Sequence, residues 1–338
     1  MTKSQNDKIS VIMPAHNAGK TITAALKSIL QQSSKIDEVI IAIDASTDHT
    51  ADAIESFIND LPDQSSPEPQ NNDLPAFRII HTDYESPSLA RNAAIELSVG
   101  DFICFLDADD VWAKDKTTLQ LDIMANNPEY LITCSNWTNK LSDLADITCK
   151  KTGFDVLSYH DLLLLNRFQT STVIMKRSVI DQAGLFDQNF DGAEDWEFWI
   201  RSSKISDIAK INTPLVYYRD NTDGYSKNLK RHYLASKKIV ERELSFDKTT
   251  FPSVSKSIII TALPTSAEKV SSGPKEIKSW HYLRFLVAFI LIKEYKNGLS
   301  CLMDLVKAKS LSTAPRASYK LLYPFLKQRL KKRSGASR

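Results

Sequence analysis

The sequence lacks a glycine-rich loop, a paired-cysteine motif and a long apolar run, and each absence excludes a class of protein. Residues 14–20 follow the first strand pattern and hold one glycine, Gly19, where a dinucleotide-binding fold needs GxGxxG. No Walker-type loop occurs, which argues against a phosphoryl-transfer enzyme. The longest apolar stretch, residues 285–292, is far shorter than the ~20 residues of a membrane-spanning helix.

Cysteine and net charge are also low. The four cysteines have no CxxC spacing, so we expect reduced, unpaired thiols in a cytoplasmic protein. The apolar run at residues 9–13 is too short for a signal peptide. A formal net charge of +2 excludes a polycation that binds nucleic acid. Residues 316–338 nevertheless hold eight Lys or Arg and no Asp or Glu.

Strand and helix patterns alternate through the first half of the chain, which predicts an α/β fold with a largely parallel sheet. Short apolar runs typical of buried strands are followed by helical stripes. Residues 61–75 have no periodicity and predict a flexible surface loop. We expect one domain over residues 1–228 and a mainly helical extension, with a basic tail, over residues 229–338.

Local signals place several helix ends. Ser86 followed by proline predicts a capped helix start, and Gly100 stands where that helix should end. Ser46 or Thr47 is expected to cap the helix that follows them, whose apolar face carries Ala51, Ile54, Phe57 and Ile58.

Three acidic features follow predicted strands or open a predicted helix. They are Asp44, the run Asp107-Ala108-Asp109-Asp110, and Glu194-Asp195. Ligands of open α/β sheets bind at the carboxyl ends of the strands, so the first two features should share one edge. Carboxylates gathered there repel one another unless a cation lies among them. Mg²⁺ and Mn²⁺ prefer oxygen ligands, which suits a diphosphate leaving group.

Four segments in this order carry a family resemblance: SVIMPAHNAGKTITAALKSILQQ, EVIIAIDASTDHT, SLARNAAIELSVGDFICFLDADDVW and EDWEFWIR. Over about residues 9–220 the chain resembles the family 2 glycosyltransferases, which have the GT-A fold. The resemblance implies an inverting enzyme that uses a nucleotide-activated sugar, most often a UDP-sugar, with Mn²⁺ or Mg²⁺.

The same resemblance implies roles on the donor side. Pro14, Ala15 and His16 would line the nucleobase pocket, with His16 where the family usually has tyrosine. Asp44 would accept hydrogen bonds from the base or ribose. Arg91 would reach the nucleotide, and it could also form a salt bridge with Asp44 or the acidic run. Asp109 would hold the metal. Asp107 would support the ribose or the metal.

On the acceptor side, Asp195 resembles the catalytic base, and Glu194 would orient the acceptor or the helix. Trp196 would offer a flat face to a sugar or pack in the core. Arg219 is a candidate for the diphosphate, and Asp110 is expected to cap the segment that follows it. Asn221 stands where the family often has histidine.

The resemblance also suggests partners. The acceptor would be a glycan or a lipid-linked glycan, with the enzyme at the inner face of the membrane. Residues 285–292 would pack on the catalytic domain, form a homodimer contact or, with the aromatic and basic tail, touch the membrane. The alternative is a non-catalytic relative that binds a glycan or nucleotide.

Overall fold

The computed structural model describes residues 7–62, 74–144, 153–220 and 228–245, and shorter stretches at 258–259, 269–270, 277–278, 280–282, 284–286 and 295–307. Most of the expected loop at residues 61–75 and all of the basic tail lie outside the described residues. So do Cys149 and Asn221.

The described strands are short, as buried strands of an α/β sheet are. They are β1 Ile9–Ala15, β2 Glu38–Asp44, β3 Ala76–Thr82, β4 Phe102–Phe105, β5 Val111–Trp112, β6 Ile132–Thr138, β7 Phe154–Leu157, β8 Ile174–Lys176, β9 Ile208–Tyr217, β10 Ile258–Ile259 and β11 Lys269–Val270. The helices are α1 Ile22–Leu30, α2 Thr50–Asn59, α3 Pro87–Leu97, α4 Lys116–Asn126, α5 Tyr159–Leu164, α6 Arg177–Ala183, α7 Glu194–Ser203, α8 Leu229–Ser245 and α9 Tyr295–Lys307.

Nine strands form one sheet in the order β3-β2-β1-β4-β8-β6-β9-β5, with β7 paired to β9. Pairings among β3, β2, β1 and β4 are parallel, and β6 pairs with β9 in parallel. Strand β8 runs antiparallel to both β4 and β6, so β6 and β9 point the same way as β1. The expected mostly parallel α/β sheet is confirmed, and the carboxyl ends of six strands share one edge.

The buried strands explain why the centre of the sheet is apolar. Every residue of β2 is buried, and β1 is buried except for Pro14, because helices cover both faces. Helices α1 and α2 pack on one side through Ile22, Leu26, Ile54 and Phe57, which belong to one apolar cluster with the alternate residues of β1 and β2. This rigid centre positions the loops at its carboxyl edge.

Two of the expected helix signals are wrong. Helix α2 begins at Thr50, and its first N–H donates to Asp48 at 3.0 Å rather than to Ser46 or Thr47, which contact Asn17 instead. Helix α3 ends at Leu97, before Gly100. The Ser86 cap is confirmed, because its hydroxyl accepts from the Leu89 N–H at 3.4 Å.

Close packing, rather than a helix end, explains Gly100. A Cβ at this position would lie 2.4 Å from the Ser10 hydroxyl oxygen and 2.7 Å from the Ser10 nitrogen. The Gly100 N–H donates to that hydroxyl at 2.8 Å, and the hydroxyl donates to Glu38 at 2.5 Å. Glycine is therefore needed where the chain passes against β1 at the amino end of the sheet.

The chain forms two compact units. The first comprises Met1–Tyr159, Arg167–Gln188 and Glu194–Gly224, and the second comprises His160–Asn166, Asn189–Ala193 and Tyr225–Arg338. Two short segments inside residues 1–228, His160–Asn166 and Asn189–Ala193, thus belong to the second unit. A single boundary at residue 228 would assign them to the first. The expected domain boundary at residue 228 stays a prediction.

The described part of the second unit is mainly helical. Tyr233 of α8 packs in a small apolar cluster with Tyr282, Phe285 and Cys301, and its hydroxyl donates to Asp304 of α9. Phe285, which opens the apolar run of residues 285–292, is thus buried within this unit. No helix among the described residues is long and apolar enough to cross a bilayer.

Candidate active site

One wall of the candidate site is the carboxyl end of β1. Pro14 and Ala15 end this strand, and His16 follows with an exposed side chain. The Nδ1 atom of His16 lies 2.8 Å from the backbone oxygen of Asp44. Because a carbonyl oxygen only accepts, Nδ1 carries the proton, and Nε2 accepts from the side-chain amide of Asn17 at 3.1 Å. The imidazole is therefore held against the end of β2.

The carboxylate of Asp44 holds the turn between β3 and α3. It is 4% exposed and accepts from the Thr82 hydroxyl at 2.9 Å. It also accepts from the backbone N–H groups of Tyr84 and Ser86, at 2.7 and 2.8 Å. The sequence predicted that this carboxylate accepts hydrogen bonds from the base or ribose, but in the structure it already accepts these three bonds from the protein. Asp44 can shape a nucleotide pocket through this turn, and a direct contact stays a prediction.

Backbone strain is concentrated at the same edge. Asn17, Ala45 and Glu85 have φ values of 48, 45 and 50°, a region that residues other than glycine rarely adopt. Each lies just after β1 or β2 or just before α3, where surrounding hydrogen bonds fix the backbone. Such strain occurs preferentially at binding sites. The ring of Tyr84, in the turn held by Asp44, is 48% exposed beside them.

The acidic turn after β4 is anchored by a buried carboxylate. Asp110 is 1% exposed and accepts from the Ser171 hydroxyl at 2.6 Å and from the Arg219 N–H at 3.1 Å. The Ser171 hydroxyl in turn accepts from the Asp107 N–H at 3.0 Å. The expectation that Asp110 caps the segment that follows it is wrong, because its carboxylate instead bonds to Ser171 and Arg219 and so joins three loops.

The three carboxylates of this turn disfavour one another's charge. Burial, followed by the charge of Asp107, raises the pKa of Asp109 to about 6, although Arg219 and Arg91 oppose the rise. Burial and the charges of Asp107 and Asp109 raise the pKa of Asp110 well above its usual value. A divalent cation at this turn would relieve the repulsion, which fits the oxygen-rich chemistry expected for Mn²⁺ or Mg²⁺.

The described residues do not supply a complete metal cage. No group of three or more His, Cys, Asp or Glu side chains among them is arranged to hold a metal ion. Magnesium commonly uses one or two carboxylates together with substrate phosphates. Asp109, partly exposed at the carboxyl end of β4, fits that arrangement, with Asp107 as its neighbour.

The guanidinium of Arg91 connects the acidic turn to α7. Its Nη2 atom lies 2.7 Å from Oδ1 of Asp107, and its Nη1 atom lies 3.8 Å from Oε1 of Glu194. Burial alone would lower the pKa of Arg91, but these two carboxylates raise it above its usual value. The Arg91 side chain is 7% exposed. The predicted donor-side and acceptor-side carboxylates are thus brought together at one place.

Asp195 is the second residue of α7 and is partly exposed. Its Oδ1 atom accepts from the neighbouring N–H of Trp196 at 2.6 Å. The partial positive charge at a helix N-terminus favours an ionised carboxylate, as a general base requires. Glu194, beside it, is 7% exposed and faces Arg91.

Trp196 does not offer a face to a sugar. Its side chain is 1% exposed, and Trp199, one turn later, is 0% exposed. Trp199 packs against the rings of Phe105, Phe186 and Phe168, with centroids 5.7–6.0 Å apart. The structure therefore supports the core-packing interpretation for both tryptophans over the acceptor contact suggested for Trp196, because both side chains are buried.

Arg219 lies beside the acidic turn, just beyond the end of β9. Its Nε donates to the backbone oxygen of Asp109 at 3.2 Å, and its guanidinium lies 5.4 Å from the ring centroid of Tyr217. This position is compatible with the predicted diphosphate contact. The contact itself stays a prediction.

Asn92 and Ser171 are two residues that the sequence reasoning missed. The Asn92 side chain donates to the Phe186 backbone oxygen at 2.8 Å and accepts from its N–H at 2.9 Å, so it positions the ring beside Arg91. Its place directly after Arg91 in the ARN segment was the available signal. Ser171 carries no comparable signal, since its partners are more than sixty positions earlier.

Comparison with known proteins places this geometry in a family. Residues 10–181 match the family model for glycosyl transferase family 2. The chain belongs to this family. The membership expected from the four sequence segments is thereby confirmed, and this family 2 chain is a glycosyltransferase.

Individual relatives agree with the family. The Escherichia coli UDP-Glc:alpha-D-GlcNAc-diphosphoundecaprenol beta-1,3-glucosyltransferase WfgD is 26% identical over 244 residues, covering 70% of this glycosyltransferase and 88% of WfgD. S. aureus TarS 1-349 in complex with UDP-GlcNAc superposes with a TM-score of 0.60 at 18% identity, covering 89% and 81% of the two chains. The Pyrobaculum calidifontis mannosyltransferase PcManGT, in complex with GDP-Man and Mn2+, superposes with a TM-score of 0.55 at 15% identity. The superposition covers 96% of this chain and 89% of PcManGT. These likenesses confirm the GT-A fold of this glycosyltransferase.

Proposed function

We propose that this glycosyltransferase inverts the anomeric configuration of a sugar that it moves from a nucleoside diphosphate to an acceptor hydroxyl. The observation that carries the proposal is the double contact of Arg91 with Asp107 and Glu194. It brings a donor-side acidic turn and the helix that bears Asp195 to one end of the sheet. An inverting displacement needs both sides at one place, because attack and departure occur on opposite faces of the sugar.

The donor is proposed to be a UDP-sugar. WfgD is named as a UDP-Glc-dependent enzyme, and TarS has a complex with UDP-GlcNAc. In this chain the ends of β1 and β2 would receive the nucleobase. Pro14, Ala15 and His16 line one side, and the turn that Asp44 holds lines the other. The exposed imidazole of His16 offers a flat ring on which a base can stack.

The diphosphate is proposed to meet Asp109, Asp107 and Arg219. Asp109 would hold Mn²⁺ or Mg²⁺, with Asp107 supporting it; PcManGT has a complex with Mn2+. When bound, the metal would neutralise charge that develops on the departing diphosphate oxygen. The guanidinium of Arg219, beside Asp109, would add a second positive charge at the same oxygens.

The carboxylate of Asp195 is proposed to act as the general base. It would take the proton of the acceptor hydroxyl while that oxygen bonds to the anomeric carbon and the bond to the diphosphate breaks. The positive end of the α7 dipole favours a negative charge at this position, and Glu194 contacts Arg91 from the first turn of the helix. One carboxylate thus serves the acceptor while the acidic turn serves the donor.

The acceptor is proposed to be a glycan carried by a lipid diphosphate, on the cytoplasmic face of a membrane. WfgD is named for an acceptor of this class. The segments expected to contact the membrane, most of residues 285–292 and all of 316–338, lie outside the described residues. Co-sedimentation of the full chain with anionic vesicles at low and high salt tests the membrane contact, because electrostatic attachment weakens with salt.

A non-catalytic glycan-binding relative is the competing function, and the retained Asp109 and Asp195 argue against it. A panel of UDP-, GDP- and dTDP-sugars should be incubated with a synthetic lipid-diphosphate glycan, with Mn²⁺ or with EDTA. We expect transfer from a UDP-sugar that EDTA abolishes and added Mn²⁺ restores. Nucleotide binding without transfer or donor hydrolysis, for every member of the panel, would favour the binding protein.

A further inference from the structure

Arg91 lies on the buried face of α3, and the start of this helix is fixed to the sheet. The Asp44 carboxylate accepts from the N–H groups of Tyr84 and Ser86, immediately before α3. Asn92, the next residue, holds the Phe186 backbone through two hydrogen bonds. The position of the Arg91 backbone is therefore determined by groups other than its own charge.

The Arg91 side chain makes two separate ion pairs rather than one bidentate pair. Nη2 contacts Asp107, directly after β4, and Nη1 faces Glu194, the first residue of α7. Its carbon Cζ lies 5.7 Å from the ring centroid of Phe186, which covers one face of the guanidinium. The side chain is 7% exposed, so these contacts surround most of the guanidinium.

We propose that Arg91 is a positioning residue that couples the donor side to the acceptor side. This inference rests on the proposed function. Through Asp107 the guanidinium sets the acidic turn, and through Glu194 it sets the first turn of α7, where Asp195 lies. Movement of either carboxylate relative to the other would misplace the base with respect to the anomeric carbon.

The two-pronged contact explains why the residue is arginine. A guanidinium presents separate Nη donors in a rigid plane, whereas the lysine ammonium is a single point on a flexible stem. Arg91→Lys keeps the charge but can reach one carboxylate at a time. Arg91→Met keeps the apolar stem and removes both contacts. Glu194→Gln removes the negative charge that faces Arg91 from α7 and retains the shape of the side chain.

The decisive experiment separates donor binding from turnover. The full chain and its Arg91→Met, Arg91→Lys and Glu194→Gln variants are compared by calorimetric titration with UDP and Mn²⁺, and by transfer rates at saturating donor. For Glu194→Gln, which leaves the Asp107 contact in place, we expect Kd for UDP to change less than about threefold while kcat falls. For Arg91→Met, which also frees the acidic turn, we expect kcat at saturating donor to fall by about a hundredfold, as misplacement of a reacting group costs. Arg91→Lys should recover part of that loss.

Two comparisons show whether the loss runs through the coupling. Adding Arg91→Met to Glu194→Gln should reduce kcat less than Arg91→Met does in the wild-type chain, because residues in one network are not additive. The matched control is Arg78→Lys, which alters a half-exposed arginine of β3 that pairs with Glu38 at 3.7 Å. This control should leave kcat within about threefold of wild type.

Each outcome decides between the alternatives. A loss of UDP affinity of about tenfold or more in both Arg91 variants, with kcat at saturating donor and the thermal midpoint unchanged, would confine Arg91 to the donor side and overturn the coupling. Normal kcat in Arg91→Met, or full additivity with Glu194→Gln, would also overturn it while leaving the proposed function intact. If the wild-type chain transfers no sugar from any donor, the proposed function fails and the inference fails with it.

Discussion

The hydroxyl of Ser171 donates a 2.6 Å hydrogen bond to the buried carboxylate of Asp110 and accepts the N–H of Asp107 at 3.0 Å. One hydroxyl thus bonds to residues at both ends of the acidic turn, Asp107 and Asp110. The backbone oxygen of Ser171 also accepts from the indole N–H of Trp112 at 2.8 Å. The shape of the turn that carries Asp109 is therefore set by a residue outside every motif.

Ser171→Ala should loosen this turn. The buried Asp110 carboxylate and the Asp107 N–H each lose a partner, which should lower the free energy of unfolding by about 1–3 kcal/mol. Urea denaturation measures the change, and transfer assays should show a reduced rate at saturating donor. Ser178→Ala, at an exposed position of α6, is the control and should shift stability by less than about 0.5 kcal/mol. Equal stability of the two variants would contradict the role given to Ser171.

Asp109→Asn should abolish metal-supported transfer without harming the fold. The carboxylate is partly buried beside Asp107, and this environment raises its pKa to about 6, so a neutral amide relieves repulsion in the metal-free protein. We expect kcat to fall by about 10²–10³-fold, and the thermal midpoint without Mn²⁺ to stay equal or rise. Asp52→Asn, whose side chain is 80% exposed on α2, is the control. Full Mn²⁺-dependent activity in Asp109→Asn would exclude Asp109 as the metal ligand.

Asp195→Asn should lose turnover and keep the nucleotide. Asp195 opens α7 and would serve the acceptor hydroxyl, so UDP should bind with an unchanged Kd while kcat falls by about 10²–10⁴-fold. Proton NMR of the wild-type product should show the anomeric configuration opposite to that of the donor. A product with retained configuration would exclude the proposed single displacement, whatever the variant does.

The sequence predicted the parts of this fold that depend on local pattern. The continuous apolar runs of β1 and β2, and the Ser-Pro start of α3, reflect burial and capping within a few residues. The carboxyl-edge clustering of Asp44 and Asp107 followed from parallel strands alone. The family resemblance then supplied the remaining candidate residues, including Glu194 and Asp195.

The parts that sequence reasoning missed depend on contacts between distant segments. Asp110 has the sequence context of a helix cap, but its partner Ser171 lies 61 positions away. The pair of Arg91 with Asp107 is the ion pair with the acidic turn that the sequence left open, whereas the contact with Glu194 was not expected. The nucleotide contact of Arg91 stays a prediction. Periodicity does not encode such long-range partners, so they appear only once the sheet order is known.

Gly100 illustrates the same limit and gives a stability test. Gly100→Ala places a Cβ 2.4 Å from the Ser10 hydroxyl oxygen and 2.7 Å from the Ser10 nitrogen, and the latter cannot rotate away. Overpacking of this kind should cost about 1–3 kcal/mol of unfolding free energy. Gly153→Ala is the matched control, because its nearest neighbouring atom would be 4.0 Å away. Equal urea midpoints for the two variants would contradict the close packing of Gly100 against β1.

Lys116, at the start of α4, is a buried cation inside the sheet-facing core. Its side chain is fully buried, and its Nζ has no hydrogen-bond partner. The Nζ atom lies 4.2 Å from the ring centroid of Trp112, which supplies a cation–π contact. Burial lowers the pKa of Lys116 from 10.5 to about 8, so near neutral pH the folded protein holds a charge in an unfavourable place.

Lys116→Met should therefore stabilise the protein at pH 7, by about 1–3 kcal/mol after the loss of the cation–π contact. The folded pKa lies below the unfolded one, so below pH 8 both states carry the charge and the folded state bears the whole burial cost. Between pH 8 and 10.5 the folded side chain is neutral while the unfolded one still binds a proton, so wild-type stability rises with pH relative to the variant. The advantage of Lys116→Met should thus be largest at pH 7 and smaller at pH 9.5, as urea denaturation at both values would show.

Lys114→Met, at an exposed position, should show no such difference between the two pH values. A destabilised Lys116→Met protein at pH 7 would mean that the Lys116 charge contributes more to the fold than its burial costs.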